Sequence, residues 1–407
     1  MRAPSISAPP WLVRLLTAFA LVAAVLWILP VTPMLAGHPF AFTALFPGGP
    51  AFEDILVYHV RFTLFHTRKF FLLTRGISAF AYPAGAAPVY EAFNTFAHPD
   101  TAYLFLAVIW TAIFTAITWA ILAKASTAGT ATRLYVRLAL LSFPLIFLIE
   151  RANIELILWM IVVIGILAYR KGYAVPAAIL FGVAASMKLY PIFLLGLFLK
   201  RRRDLPAFAV GLVTALAATG LAIAYAGPTF SIAAHGFFTG VDRFQDHYAE
   251  TVRSAEINFD HSLFSPIKYW SYVQHQSLRS LMTPYYLCAG AFAGLLYLRV
   301  RTLPFLNRVI FLVVAMVSLP PVSYSYTLIH LYLPVVLFVA ALLQTRNAPA
   351  TAKVALAILL FLLLPLIALS VWQNIPAGPI QSFGLLLLLP LAAISPWEDT
   401  TSKISDL

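Results

Sequence analysis

LFLAVIWTAIFTAITWAIL, at residues 104–122, contains no charged side chain. A hydrocarbon core about 30 Å thick is crossed by about 20 helical residues, so this stretch has the length of one membrane span. Residues 15–29 and 354–371 are also free of charge. Because lipid offers no hydrogen-bond partner to an open backbone, spanning segments of this kind are helices. The sequence therefore predicts an all-α protein that crosses the membrane several times.

The overall composition supports the same class. Hydrophobic residues make up 61% of the 407 residues and charged residues only 10%, against about 25% charged in soluble domains. The formal net charge of +12 is typical of basic cytoplasmic loops, and we predict no nucleic-acid partner. A single cysteine, Cys288, excludes an intramolecular disulfide framework and a cysteine-based zinc site.

We predict a single transmembrane domain over residues 1–407, a polytopic fold with about 12 transmembrane or partly spanning helices. The first candidate span, 15–33, is predicted as a retained helix rather than a cleaved signal peptide, because no clear small-residue cleavage site follows it. The other candidate spans include 137–149 and 352–372.

Clusters of basic residues orient these spans. The clusters are Arg2/Arg14, Lys124/Arg133/Arg137, Arg170/Lys171, Lys200–Arg203, Arg299/Arg301/Arg308 and Arg346/Lys353. All fall on one side, which we predict to be cytoplasmic, together with both termini. All nine histidines and most acidic residues fall on the other side, chiefly in the external loops 34–100 and 227–283. We therefore expect a multi-pass protein of the inner (plasma) membrane whose proton-transferring groups face outward.

Residues 172–199 are predicted to form a re-entrant hairpin. Basic residues flank both ends, so the chain must enter and return, but 28 residues are too few for two spans. Pro191 favours a break and leaves Lys188 near the tip, inside a water-filled bowl that opens outward. An ionisable residue at membrane depth is a functional candidate. The alternative for Lys188 is a structural ion pair with Glu150 or Glu155.

The external loop 34–100 carries the densest chemistry and is predicted to be the catalytic loop. Asp54 and Tyr58 are spaced i, i+4, so a helix places both on one face. A carboxylate beside a cavity can serve as a general base, and Glu53 is the rival carboxylate. The alternative role for Asp54 is that of a helix N-cap.

Several short motifs occur in the order found in one enzyme family. They are Asp54–Tyr58 (DILVY), Tyr82–Pro83, Arg151–Glu155 (RANIE), Gly182–Pro191 (GVAASMKLYP) followed by Arg201–Arg202, Asn258–Leu263 (NFDHSL) and Pro320–Tyr324 (PPVSY). Together they resemble glycosyltransferase family 87, polyprenol-phosphate-sugar-dependent transferases of the GT-C fold. The family includes mannosyltransferases that build phosphatidylinositol mannosides.

This resemblance implies roles for individual residues. It implies that Asp54, rather than Glu53, is the catalytic general base. The residues expected at the donor phosphate are Lys188, Arg151, Tyr326 and His330. The residues expected to bind substrate are Glu53, Tyr58, Tyr82, Asn153, Tyr190, Asn258 and His261. We predict neither a metal nor another cofactor.

The sequence departs from the family in the late Pro–x–Ser segment. Family members often carry a tryptophan and one or two histidines after the serine, whereas here Tyr324–Thr327 follow and the nearest histidine is His330. If the family histidine contacts the donor phosphate, Tyr326, His330 or another group must replace it.

The implied function is transfer of a sugar, expected to be mannose, from a polyprenol-phosphate-linked donor to a lipid or glycan hydroxyl. The reaction is expected to be inverting, to need no metal and to occur on the outer face among membrane lipids. Loop 227–283 is the candidate acceptor loop, and an interfacial amphipathic helix is the alternative for it. A transporter or lipid flippase is the main functional alternative, and a non-catalytic scaffold is a further one.

Overall fold

The computed structural model describes residues 8–28, 52–72, 80–139, 142–250, 254–345, 348–366, 368–369 and 375–397. Within these ranges the chain is built from helices, and its β structure is one isolated bridge between Asp260 and Tyr324. This confirms the predicted all-α membrane-protein class.

The helices follow one another along the whole described chain. The α-helices are Pro10–Ile28, Glu53–Phe62, Arg68–Leu72, Ala87–Asn94, Pro99–Ala125, Ala128–Ala139, Phe143–Arg151, Glu155–Arg170, Ala174–Met187, Leu205–Ala226, Phe230–Phe244, Ser254–Ile257, Ser265–Gln274, Arg279–Val300, Phe305–Ser318, Tyr332–Gln344, Ala350–Leu362 and Ala377–Ile394. The 3₁₀ segments are Ala84–Ala86, Tyr190–Leu199, Arg202–Asp204 and Ser325–Leu331, and Gln245–Glu250 is a π-helical turn. The two predicted external loops are thus largely helical where they are described.

Six of the described helical segments are long and apolar enough to cross a membrane: Pro10–Ile28, Pro99–Ala125, Arg202–Ala226, Arg279–Val300, Ser325–Gln344 and Ala377–Ile394. A seventh results if Ala128–Ala139 and Phe143–Arg151 count as one bent span. Four shorter apolar helices accompany them: Ala174–Met187, Tyr190–Leu199, Phe305–Ser318 and Ala350–Leu362. A mixture of full and short apolar helices is what the sequence predicted.

The long helices differ in how deeply they lie inside the protein. The apolar stretch of Ser325–Gln344 is completely buried inside the protein, whereas only 17% of the apolar stretch of Arg279–Val300 is buried. A helix that is apolar all round and enclosed by protein forms a core, and an apolar helix that is open to its surroundings suits lipid. Ser325–Gln344 is therefore the central helix, and Arg279–Val300 lies at the periphery.

The segment predicted as a hairpin consists of the α-helix Ala174–Met187, a break at Lys188 and the 3₁₀ run Tyr190–Leu199. Lys188 is extended (φ −144°, ψ 136°), so the helix ends there. The two segments have 14 and 10 residues, or about 20 Å each at 1.5 and 2.0 Å per residue, which is shorter than a bilayer core. That the pair re-enters the membrane stays a prediction.

Two predicted spans have different boundaries in the structure. Residues 137–149 do not form one helix, because one helix ends at Ala139 and the next begins at Phe143, with Pro144 in its first turn. The helix that begins the span predicted at 352–372 ends at Leu362, and residues 368–369 are helical again. Pro365 follows that end, and a proline cannot donate the hydrogen bond that would continue a helix.

Candidate active site

Asp54 lies in the first turn of the helix Glu53–Phe62, and the chain before it fixes where that helix begins. The N-cap residue Phe52 adopts a left-handed conformation (φ 63°), and its N–H donates to the carbonyl oxygen of Glu150 at 2.8 Å. The helix is thus tethered to the end of the helix Phe143–Arg151. The N-cap alternative for Asp54 is wrong, because Phe52 occupies that position.

Two side chains hold the Asp54 carboxylate. Its Oδ1 forms an ion pair with the guanidinium of Arg151, and its Oδ2 accepts a hydrogen bond from Nδ2 of Asn153 at 2.6 Å. Arg151 also donates to Oε2 of Glu53 at 2.5 Å, so one guanidinium joins the two rival carboxylates. These contacts fix the direction of the Asp54 carboxylate, and each of its oxygens keeps a second lone pair for a substrate proton.

The ammonium of Lys188 reaches the same asparagine from the other side. Nζ donates to Oδ1 of Asn153 at 3.1 Å and to Oε1 of Glu155 at 2.6 Å. The backbone N–H of Glu155 donates to the same Oδ1 at 3.1 Å, which fixes the amide. Asn153 therefore presents its NH₂ group to Asp54 and its carbonyl to Lys188. A carboxylate and an ammonium from distant parts of the sequence share one site through a single amide.

Glu155 forms the floor of this site, although the sequence indicated it only as a structural partner of Lys188. Its Oε1 accepts from Lys188 and from the hydroxyl of Tyr190, and its Oε2 bonds to Nε2 of His330 at 2.8 Å. A fully buried carboxylate is tolerated only when it is paired and hydrogen-bonded. The available signal was a glutamate that opens an otherwise apolar helix two residues after Asn153.

Tyrosine rings surround the Lys188 ammonium. Nζ lies 5.1 Å from the ring centre of Tyr326, 5.3 Å from that of Tyr82 and 5.9 Å from that of Tyr190. Aromatic faces at such distances attract a cation. The Tyr82 hydroxyl also accepts from Nδ2 of Asn153 at 3.1 Å, and burial raises the pKa of Tyr82 well above its usual range. The aromatic wall therefore stays uncharged at neutral pH.

The loop that carries Tyr82 packs tightly on the tip of the hairpin. A Cβ atom at Gly85 would lie 2.6 Å from the carbonyl oxygen of Ser186. Real Cβ atoms are not found so close to another heavy atom, so glycine is required for the two segments to meet. The Tyr–Pro–Ala–Gly motif thus helps to bring Tyr82 over Lys188.

The polar side chains that lead from Glu53 and Asp54 to Glu155 and His330 form one network, and the exposed fraction of these side chains falls steadily along it. The side chain of Glu53 is 35% exposed, Asp54 is 13%, Lys188 is 9%, and Glu155 and His330 are 0% exposed. The network therefore runs from a partly open mouth at Glu53 and Asp54 to a closed floor at Glu155 and His330. Asp54 thus lies nearer the exposed end of the network, and Lys188 lies deeper.

Three predicted substrate-binding residues lie outside this network. Tyr58 is buried in an aromatic cluster with Phe80, Tyr82 and Tyr90, and burial raises its pKa well above its usual range. His261 is completely buried, and Asn258 is half-buried in a turn. Because burial leaves Tyr58 and His261 almost no surface, both support the walls of the site in this conformation.

His261 belongs to a second polar cluster, which we call the Lys268 cluster (Lys268, Asp260 and His261). Lys268 Nζ pairs with Oδ2 of Asp260 at 2.5 Å, and Oδ1 of Asp260 accepts from the backbone N–H groups of Ser262 and Ser323, both at 3.0 Å. The cluster therefore ties the second large loop to the late Pro–x–Ser segment.

The histidine of this cluster is held by hydroxyl groups. Nε2 of His261 lies 3.2 Å from both Oγ of Ser323 and Oγ1 of Thr327. Burial lowers the pKa of His261 to about 4. The ring is therefore neutral at physiological pH and contributes hydrogen bonds rather than charge.

The model of glycosyltransferase family 87 matches residues 80–322, more than half of the chain. The chain belongs to glycosyltransferase family 87. This family 87 protein is thus a membrane glycosyltransferase with a sugar donor and an acceptor as substrates, which decides against the transporter and flippase alternatives. No curated protein matches the chain.

The matched region covers only part of the site. It includes Tyr82, the segment 151–190 and the Lys268 cluster, but it begins after Asp54 and ends before Tyr326 and His330. The family match therefore does not test these three residues or Glu53, which precedes Asp54. The membership of the three residues in the site follows from their contacts with Asn153, Lys188 and Glu155.

Proposed function

We propose that this family 87 enzyme moves a sugar, with mannose as the first candidate, from a polyprenol-phosphate-linked donor to a lipid or glycan hydroxyl. The observation that carries the proposal is the Asn153 amide, which joins Asp54 to Lys188 in one partly open site. A general base for the acceptor and a cation for the leaving phosphate are the two groups that such a transfer uses.

The donor phosphate is assigned to the space above Lys188. An ammonium has three N–H donors, and two of those on Lys188 bind Asn153 and Glu155. The third can donate to a phosphate oxygen, and Arg151 adds a second cation beside it. Tyr326 supports this placement because its ring lies against the ammonium.

His330 is assigned a positioning role rather than direct contact with the phosphate. Its side chain is fully buried and bonds to Glu155, which in turn holds Lys188. Glu155 carries the same assignment, since three side chains converge on its two oxygens. In this proposal the contact with the donor phosphate falls to Lys188 and Arg151, and His330 acts on it only through Glu155.

In the proposed reaction, the acceptor hydroxyl gives its proton to Asp54 while its oxygen bonds to the anomeric carbon of the sugar. The bond from that carbon to the phosphate oxygen breaks, and the electron pair leaves with the polyprenol phosphate. Lys188 and Arg151 stabilise this anion. Attack opposite the leaving group inverts the anomeric configuration, and Asp54 later releases its proton to water. A divalent metal is not needed for these steps.

The acceptor is assigned to the side of the second loop, facing the outside of the inner membrane. A row of rings, Tyr248, Tyr324 and Tyr326, leads from that loop to Lys188, with ring centres 6.3 and 6.0 Å apart. Aromatic surfaces bind sugars, and exposed rings on the helix Ser265–Gln274, such as Trp270, suit the membrane interface. The outward orientation rests on the positive-inside rule.

The deciding experiment is a purified transfer assay over a panel of polyprenol-phosphate sugars, with and without EDTA. Asp54→Asn is expected to lower kcat by about 10²–10⁴-fold, the usual contribution of a general base, without lowering the melting temperature. Glu53→Gln tests the rival carboxylate, which lies in the same turn and binds the same arginine, and it is expected to lower kcat much less than Asp54→Asn does. Wild-type turnover by Asp54→Asn, or transfer only from nucleotide sugars, would refute the proposal.

A further inference from the structure

The end of the bundle opposite the candidate active site carries a buried arginine, Arg308. The helix Glu155–Arg170 leads from the site to this end, and the 3₁₀ run Tyr190–Leu199 leads from the site to Lys200 beside it. The helix has 16 residues, which corresponds to about 24 Å. The two ends of the bundle are therefore separate chemical environments.

Arg308 is held by neutral groups. Its Nη1 donates to the Tyr169 hydroxyl and to the carbonyl oxygen of Leu197, both at 3.3 Å. The residue is 5% exposed, and its Nε is buried with no hydrogen-bond partner. Across the part of the chain that the structure describes, no carboxylate forms an ion pair with it. A buried guanidinium without a counter-charge is costly, so this position favours an anion.

A second cation, Lys200, lies beside Arg308 and connects this position with the protein surface. Lys200 is exposed, and its Nζ donates to the carbonyl oxygen of Leu303 at 3.1 Å. Partial burial and then the positive charges of Arg308 and Arg201 lower the pKa of Lys200. Lys200 is thus close enough to both arginines for their charges to repel it, and an anion bound beside Lys200 and Arg308 would reduce that repulsion.

The other charged and polar groups at this end do not fill the position. Oδ1 of Asp204 lies 3.7 Å from Nε of Arg203, so this carboxylate pairs with another arginine. Asn307, one residue before Arg308, bonds to Ala392 and Ser395 on another face of the helix. The acids Glu398 and Asp399 lie outside the described residues, so the test below includes them.

The neighbouring surface indicates a lipid as the source of the anion. Leu295 and Leu298 on the peripheral helix Arg279–Val300 are 69% and 55% exposed. Arg299 and Arg301 follow them directly and are also exposed. An exposed apolar surface that ends in a basic rim is the pattern of helices that meet anionic headgroups at a membrane surface.

We propose that Arg308 and Lys200 form a binding site for the phosphate group of an anionic phospholipid at this basic end of the bundle. The planar guanidinium offers paired N–H donors that match phosphate oxygens, and the exposed Lys200 adds a second donor at the entrance. The site is independent of the transfer reaction and lies at the opposite end of the same helices.

The test measures the melting temperature of the full-length protein in neutral detergent while dioleoyl phosphatidylglycerol or dioleoyl phosphatidylcholine is added. Phosphatidylglycerol is expected to raise the melting temperature of the wild type in a saturable way, and phosphatidylcholine is not. Arg308→Gln and Lys200→Gln are each expected to weaken the apparent affinity at least about tenfold, the effect of losing a charged hydrogen bond. Lys200→Gln keeps the experiment informative if Arg308→Gln does not fold.

The matched control is Arg133→Gln, which removes one exposed positive charge from the helix Ala128–Ala139. It is expected to bind like the wild type. Inorganic phosphate is added in a parallel arm: a Lys200-dependent shift with phosphate alone would assign the site to a free anion instead of a lipid. Equal responses to the two lipids, or equal losses in Arg133→Gln and Lys200→Gln, would overturn the proposal. So would binding that appears only when Glu398 and Asp399 are neutralised, since the chain's own acids would then occupy the site.

Discussion

Lys188 and Lys268 are both buried, both pair with a carboxylate within 2.6 Å, and in both cases that carboxylate neighbours a histidine: Glu155 binds His330, and Asp260 precedes His261 in the chain. Their surroundings differ in one respect. The carboxylate partner of Lys188, Glu155, binds only side chains, and the network continues to the partly exposed Asp54. The partner of Lys268, Asp260, binds backbone N–H groups of two segments and is closed off from the surface.

This difference separates the candidate active site around Lys188 from the Lys268 cluster, which is a structural clamp. Backbone groups bound to Asp260 join the second loop to the late Pro–x–Ser segment, which is a structural task. Side chains that converge below an opening can act on a molecule that enters it. Burial and an ion pair are therefore weak signs of catalysis by themselves, and the partial exposure of Asp54 is what favours a catalytic role for the Lys188 network.

The largest expected effect is loss of stability when the clamp is broken. Asp260→Asn leaves Lys268 buried without a carboxylate, which is expected to cost about 3–5 kcal/mol. Urea denaturation in detergent measures this cost. Asp100→Asn, at the start of the helix Pro99–Ala125, is the control and is expected to change stability by less than about 1 kcal/mol. Equal stability of the two variants would remove the structural role from Asp260.

Replacing the other lysine, Lys188, is expected to lower the rate of the reaction. Lys188→Gln should lower kcat by about 10²–10³-fold, or about 2.7–4 kcal/mol, because one preorganised donor to the developing anion is lost. Steady-state kinetics on the folded fraction measure the effect. Lys171→Gln, exposed at the opposite end of the bundle, serves as the control. If kcat in Lys188→Gln stays within threefold of the wild type (about 0.7 kcal/mol), the comparison between the two lysines fails.

The histidine of the clamp predicts a dependence of stability on pH. The pKa of His261 is lowered from 6.5 to about 4 by burial, so between these values the unfolded chain binds a proton that the folded chain does not. Stability is therefore expected to fall as pH falls from 6.5 to 4, by at most about 3 kcal/mol. His261→Gln should flatten this slope in melting curves recorded from pH 7 to 4. An unchanged slope in the variant would contradict the assignment.

The smallest expected effect concerns the histidine of the active site. His330→Gln keeps an N–H donor for Glu155 and is expected to lower kcat by about tenfold, whereas His330→Leu removes the donor and should lower it by about 100-fold. Rescue by glutamine relative to leucine is the measurement that identifies a positioning residue. Equal and complete loss in both variants would instead indicate that the imidazole touches the substrate.

The sequence was sufficient to predict the class of protein and many residues of the candidate site. Charge-free runs of about 20 residues predict helices, and the model of the family covers residues 80–322. Asp54, Arg151, Asn153 and Lys188 were all predicted, and the structure brings them together. The boundaries of spans were less predictable, since a proline after Leu362 ends a helix inside an apolar run.

Other parts of the site could not be predicted. Glu155 was left out because a glutamate at the start of an apolar helix resembles an ordinary counter-charge until its three partners are known. His261 was predicted at the substrate because it belongs to the motif Asn258–Leu263 and because polar residues mixed with aromatic ones in the second loop suit a sugar, and that role stays a prediction. Its burial under Ser323 and Thr327 depends on segments more than 60 residues away.

The sequence by itself determined that this chain is a helical membrane protein, because apolar runs long enough to cross a bilayer are a local property of the sequence. It also determined the transferase family, because short motifs can be matched without knowledge of their contacts. Only the tertiary structure decided that one amide links Asp54 to Lys188, that Glu155 lies beneath them and that Arg308 has no described acidic partner. Asp54 and Asn153 are 99 residues apart, and Glu155 and His330 are 175 apart. Their contact depends on how whole helices pack, which no local pattern encodes.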